Sequence, residues 1–317
     1  MTKKLVNISL ISITIVFIIY YLYKNFDYHT ILNIKYNFVY LTISFVILIF
    51  QIVYQSIIWS VLIKTLKPNI RILDSMKIWL LSLFGKYVPG KIAGYALLFY
   101  LYKDYNVSKS ELSIASYYEL ISSIVSIMLT SLLFLMFVGE SLLNIQEIVI
   151  IIGLALAFSS LLIPKVLELF LGIVTKILKR DKIVVKLKIQ TIIKITLLYC
   201  ISNIVLGFAF YFFINSISYL EIAKIPYLIL VINLSGFIGL LAFFMPAGIG
   251  AREGALIYFL NKIISFQVAT MISIISRLWF VISEFITLSL AYLFLKYFGH
   301  IDVLGIINKS TKEIENQ

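Results

Sequence analysis

Apolar positions in this chain run on rather than alternate. Six long stretches, residues 5–23, 37–63, 111–137, 145–162, 191–213 and 266–295, are apolar almost throughout. Each comes close to or passes the roughly 20 residues a helix needs to cross a hydrocarbon core about 30 Å thick. Two further stretches are apolar but broken. Residues 75–102 are interrupted by Pro89-Gly90 in SLFGKYVPGKIAGYALL, and residues 225–260 by Pro246-Ala247-Gly248 in AFFMPAGIGAREGALIYFL. Proline removes a helical donor and glycine opens unusual dihedrals, so each is expected to form two short helices meeting at an irregular tip. Such backbone is tolerated at membrane depth only where protein buries it or a wet cavity receives it. The pattern predicts an all-α polytopic membrane protein of about six transmembrane helices plus two re-entrant broken hairpins. The first arm of the second, 225–243, is long enough to span by itself.

Composition agrees: 62% of the 317 residues are hydrophobic and only 13% charged, which excludes a soluble globule and leaves no room for a sizeable soluble catalytic domain. The chain carries 27 Lys and Arg against 15 Asp and Glu, a net charge of +12. In a membrane protein that excess suits loops facing anionic lipid on the cytoplasmic side better than it suits nucleic acid. If both broken stretches turn back and the N-terminus is cytoplasmic, most basic residues fall inside, including the run from Lys165 to Lys188. Only Lys24, Lys35, Lys224 and Lys262 then fall outside. If both crossed, the basic run would move outside, so the positive-inside rule favours two hairpins and places both termini in the cytoplasm of a cell-membrane protein. The start, MTKKLVNISLISITIVFIIYYLY, has no small-residue cleavage site and reads as an uncleaved first span.

Pro89 and Pro246 lie 157 positions apart, and the same shift carries the span at 37–63 onto that at 191–213 and the span at 111–137 onto the last. Each half thus reads span, broken hairpin, span, in opposite orientations: an inverted repeat, which in transporters brackets a substrate site near the midplane. The expected organisation is one integral membrane domain. It comprises a first span and outer loop (1–36), one repeat half (37–137), a connecting span with a basic cytoplasmic segment (138–190), the second half (191–295) and a cytoplasmic tail (296–317). Within the connector, PKVLELFLGIVTKILKR has the spacing of an interfacial amphipathic helix on anionic lipid, or of a plain basic topology anchor.

Charges inside a bilayer cost about 2.5–3.5 kcal/mol each on insertion scales, so those present mark a pathway or an ion pair. The first tip carries Lys86 and Lys91 around Pro89-Gly90; the second carries Arg252 and Glu253 after PAGIG; neighbouring spans supply Glu119, Arg277 and Glu284. Arg277 and Glu284, seven apart, share a helix face. Glycine tips opening into helices, at Gly90, Gly248 and Gly250, would leave backbone N–H groups for an anion, and phosphate is the natural guest. The same charges could instead neutralise one another and pin the hairpins together. Cys200 sits alone in an apolar run and His29 and His300 have no partners at ligand spacing, so neither a metal nor another cofactor is expected.

MPAGIGAREGALIYFL, followed by ISRLWFVIS, and upstream YVPGKIAGYALLFYLYKDYNVSKSELSIASYYE together resemble the flippase-like transmembrane domain of lysylphosphatidylglycerol synthases and its stand-alone relatives. The resemblance covers roughly residues 37–295 and carries over to Pro89, Gly90, Glu119, Pro246, Gly248, Gly250, Glu253 and Arg277. Two places depart from it: Ala93-Gly94 stands where many relatives have Gly-Glu, and Leu120 where Arg often follows the glutamate. The synthases add a large soluble aminoacyl-transfer domain, which this chain lacks, so aminoacylation by it alone is not expected. The implied function is translocation of a phosphate-bearing lipid, a phospholipid or a polyprenyl-linked glycan. Lys86, Lys91 and Arg252 would meet the head group, and Glu119, Glu253, Arg277 and Glu284 would form intramembrane ion pairs. Two other classes stay open. A membrane transferase acting on a lipid-linked sugar or aminoacyl lipid would have to draw on Asp27, Glu140, Glu147 and Glu221 in the outer loops. A non-transporting subunit would dock glycosyltransferases of a surface-polysaccharide pathway.

Overall fold

The computed structural model describes residues 36–83, 92–138, 142–160, 188–242, 248 and 250–298. The expected first span, the amphipathic connector, the end of the tail and Lys86, Pro89, Gly90, Lys91 and Pro246 lie outside the described residues.

Among those residues the protein is all α, in the order α1 (Phe38–Leu66), α2 (Ile72–Ser82), α3 (Ile92–Leu101), α4 (Lys109–Leu135), α5 (Ile145–Ser159), α6 (Ile189–Asn215), α7 (Ile225–Leu241), α8 (Ala251–Leu260) and α9 (Phe266–Phe298). Their starts are written in polar residues at the ends of apolar runs. Asn37 Oδ1 accepts from the N–H groups of Val39 and Tyr40 at the head of α1. Ser108 and Glu111 close a capping box on α4, and Pro226 occupies the first turn of α7, where no donor is lost.

Among the described residues five helices are long and apolar enough to cross a membrane: α1, α4, α6, α9 over 266–291, and α7 together with the short turn before it, 222–241. The segment 222–241 contains the first arm of the second broken stretch, which the sequence pattern makes long enough to span by itself, whereas the expected span at 145–162 is not among the five. The helix at 145–162 is described only as the 15 residues of α5, about 22 Å at 1.5 Å per residue and short of the core. The first arm of the second broken stretch reaches 20 residues and joins the candidate spans. An apolar run fixes neither where a helix ends nor whether the chain beyond it turns back.

Helix α6 is the hub, packing along α1, α4 and α7. It runs antiparallel to α1: the Asn37 N–H meets the Ser216 carbonyl at 2.8 Å at one end, and Gln51 donates to Ser202 at 2.9 Å near the middle. Polar side chains stitch this hub where apolar packing alone would leave register loose. Asn203 donates to Ser126 on α4, and Asn233 on α7 donates to the Asn203 carbonyl. Gly207 brings α6 and α7 into backbone contact, since a Cβ there would fall 2.2 Å from Ile229 Cγ1. An aromatic stack of Phe213 on Trp279, centroids 4.8 Å apart, seats α9 against the hub.

The described arms of each broken stretch can be placed by their contacts. Tyr227 at the start of α7 donates to the Phe259 carbonyl at the end of α8, 2.8 Å. At the other end, Gly239 near the end of α7 lies against Arg252 near the start of α8. Helix α8 therefore retraces α7. Trp59, two turns before the end of α1, donates to Tyr102 just after α3 at 2.8 Å, so α3 returns to the end of the molecule from which α2 sets out.

Candidate functional site

The tip between α7 and α8 uses glycine where no other residue fits. Gly248 has φ +66°, and a Cβ on it would lie 2.4 Å from the Gly239 carbonyl oxygen; Gly250 has φ +89°. The chain can turn this tightly against α7 only without side chains. Glu253 stands in the first turn of α8, and its Oε2 accepts the Gly250 N–H at 2.7 Å. The anion at this helix start is thus the protein's own carboxylate. The backbone N–H expected to be open to phosphate at Gly250 is taken by a group that cannot dissociate.

Glu253 is 3% exposed and is met by Arg277 on α9 in a two-pronged contact, Nε to Oε1 and Nη2 to Oε2, the latter 3.2 Å. Ser273, one turn earlier on α9, donates to the Glu253 carbonyl. One acid thereby holds the tip loop, the start of α8 and α9 together. Arg252, its neighbour in sequence, points elsewhere. Its guanidinium carbon sits 4.5 Å over the Phe280 ring, and its Nη2 is buried with no hydrogen-bond partner among the described residues. Glu284 is buried on α9 within electrostatic reach of Arg252. Of the expected charges, the structure gathers Arg252, Glu253, Arg277 and Glu284.

Glu119 is not one of that group. Its Oε1 accepts from Trp79 Nε1 on α2 at 2.8 Å and from the Tyr199 hydroxyl on α6 at 3.2 Å, and no described cation lies within 4 Å of it. Instead it faces a cavity of about 340 Å³ lined also by Gln55, Ser82, Gly94, Leu120 and Ser123. Sequence reasoning expected Glu119 to share in ion pairs and missed its neutral donors. The only signal for them was an isolated Trp and Tyr in otherwise aliphatic runs.

A further cluster was overlooked because its members read as separate loop charges. Lys262, just past α8, straddles both oxygens of Glu147 at 2.6 and 2.7 Å, and the Tyr258 hydroxyl donates to the same carboxylate at 2.6 Å. Glu147 also caps α5 through the Asn144 N–H. It clamps the end of the α7–α8 hairpin to α5, so this member of the outer acids is engaged.

An all-helical membrane architecture with a Gly-rich tip sealed by a Glu–Arg pair is now in place. The sequence profile of the lysylphosphatidylglycerol synthase TM region matches residues 6–287 of the 317. The chain belongs to that family. It is a multi-pass membrane protein, and its family places it in lipid metabolism or translocation. The match takes in both broken stretches, Glu119 and the Arg252–Glu284 cluster. No curated protein and no solved structure matches it.

Proposed function

We propose that the protein moves a phosphate-bearing amphipathic lipid, a phospholipid or a polyprenyl-linked glycan, between the leaflets of the cell membrane, as a transporter rather than an enzyme. The observation that carries this is Arg252: a guanidinium with a buried, unpartnered Nη2, at the tip of a folded-back segment in an otherwise apolar protein. A cation of this kind is expensive in a membrane unless a guest anion completes it. Glu253 is already bound by Arg277, so Arg252 is the member of the pair left to meet phosphate.

Three features support the surrounding architecture. Helix α8 retracing α7 suits a re-entrant second hairpin. Two shorter helices stand between two long ones twice, in α1–α4 and α6–α9. The leading helices of the two sets, α1 and α6, run antiparallel, as an inverted repeat requires. Lys86 and Lys91 would supply the charge of the first tip, and glycosyltransferases of surface-polysaccharide assembly would be fitting partners for a glycan carrier.

The test is head-group translocation in proteoliposomes with labelled phospholipid and with labelled polyprenyl-phosphate glycan. Arg252→Ala should slow transport of the preferred lipid by about tenfold or more, the worth of a hydrogen bond to a charged group, with Arg252→Lys intermediate. Transport of neither lipid, or a rate unchanged in Arg252→Ala, overturns the reading.

A further inference from the structure

The ten-residue helices α3 and α8 begin at Ile92 and Ala251 and end at Leu101 and Leu260, a constant offset of 159. Their sequences keep step: YALLFYLYK from Tyr95 lies against GALIYFLNK from Gly254. The helices that follow, α4 and α9, begin at Lys109 and Phe266, each directly after a serine, an offset of 157. In the second half, Glu253 and Arg277 grip each other and Ser273 donates to the Glu253 carbonyl, so three groups fasten α8 to α9. Their counterparts in the first half are Gly94, Leu120 and Ser116. Gly94 offers no acid and Leu120 no base. The Ser116 Oγ is buried and has no hydrogen-bond partner among the described residues.

Packing follows the same asymmetry. Helix α8 lies along both α7 and α9, whereas α3 lies along α2 and does not pack along α4. The cavity of about 340 Å³ is found at this gap, its lining shared by Gly94 and Leu98 of α3 and by Glu119, Leu120 and Ser123 of α4. A void in a packed protein forfeits the dispersion contacts of its walls, so it is held open by its contents or it closes.

We infer that α3 is the moving gate of the protein: it swings onto α4 and away again, closing and opening the cavity between them, while α8 stays latched to α9. Swinging α3 breaks no ion pair between these two helices, because the positions that would form one hold Gly94 and Leu120. Swinging α8 would strand Glu253 and Arg277 in the dry interior, which is costly. Motion therefore falls to the first half, as conformational change is drawn from the least stabilised part of a fold. The swing has a pivot. Tyr102, just past the end of α3, is fully buried and accepts from Trp59 of α1, so the end that moves is the one bearing Gly94. Closure would also bring Ser116 towards α3, as Ser273 is already brought to α8. The inference deepens the proposed transport function by naming its moving part, and rests on that reading only for what the movement carries.

The test is dipolar EPR on the full chain in nanodiscs of phosphatidylglycerol and phosphatidylcholine, with Cys200→Ser removing the one native cysteine. Two spin-labelled pairs that the repeat makes equivalent are compared: Tyr95→Cys with Ser113→Cys across α3 and α4, and Gly254→Cys with Thr270→Cys across α8 and α9. The first pair should show two separations differing by about 5 Å or more, the scale of one helix turn, and the second pair a single one. Adding Gly94→Glu and Leu120→Arg supplies the missing acid and base. It should leave the first pair only its shorter separation and stop head-group translocation in proteoliposomes. A single separation for the first pair, two for the second, or a longer separation that survives the rebuilt ion pair overturns the inference. So does translocation at the native rate in a variant that shows the short separation alone. If the rebuilt variant does not fold, the two pairs in the otherwise native chain decide the matter by themselves. The readout is separable from transport: two separations in a protein that moves no lipid remove the carrier reading and leave the gate, while translocation with one separation in both pairs does the reverse.

Discussion

Removing the Glu253–Arg277 contact is the sharpest perturbation the fold offers, because one acid holds three segments. The side chains are 4% and 26% exposed respectively, so neither partner can be deleted without leaving the other largely dry. Losing one member of a buried pair costs about 3–5 kcal/mol. With the arginine a quarter exposed, about 3 kcal/mol is expected for Arg277→Met, and about 2–3 kcal/mol for Glu253→Gln, whose amide oxygen can still accept the Gly250 N–H. If the losses come from an orphaned charge, the double variant should cost about 3 kcal/mol rather than their sum, a coupling of about 2 kcal/mol. Charge reversal provides the control. Glu253→Arg with Arg277→Glu keeps the two charges but sets a cation on the first turn of α8, where the helix dipole favours an anion by about 0.3–1 kcal/mol, and it strips the Gly250 N–H of its acceptor. The swap should therefore recover only part of the loss. Unfolding in graded denaturing detergent would be followed through Trp279, which lies two residues from Arg277 and stacks on Phe213. A coupling below about 0.5 kcal/mol, the level at which independent sites simply add, would show that this pair does not hold the hairpin.

Two glycines at the same hairpin should behave in opposite ways. Gly248→Ala meets both a left-handed φ and the Gly239 carbonyl at 2.4 Å, so a loss of about 2–4 kcal/mol is expected from strain and overpacking together; Gly254→Ala, with nothing within 4 Å of its added Cβ, should be neutral or gain up to about 1 kcal/mol from helix propensity. The thermal midpoint of the monodisperse fraction in detergent would separate them. Lys262→Met should lower that midpoint by the equivalent of about 1–3 kcal/mol, since it strands Glu147, whose side chain is 14% exposed. Tyr258→Phe, which removes one donor of three, should cost about 1 kcal/mol. Equal midpoints for Lys262→Met and the native chain would show that the clamp on α5 is unimportant.

What could be seen in the sequence follows from what a bilayer penalises. Continuous apolar length is one such quantity, and the runs at 37–63 and 191–213 lie within three residues of α1 and α6 at either end. Charge in an apolar segment is another: Glu253 and Arg277 had few affordable fates other than each other. Cost says that a charge needs a partner, however, and not which partner. Among the described residues Glu119 accepts from an indole and a phenol, and neutral donors carry no penalty that would announce them. Cost is equally silent on length near the threshold, so residues 145–162 and 225–243 looked alike while α5 stops at 15 residues and the segment ending with α7 reaches 20. The glycine tip was visible as a break, yet its N–H groups looked free because Glu253 was assigned to pairing alone. In the fold its two carboxylate oxygens serve two roles at once, capping α8 and gripping Arg277. That double use is what leaves Arg252, the adjacent charge, over the Phe280 ring with an Nη2 that has no hydrogen bond among the described residues.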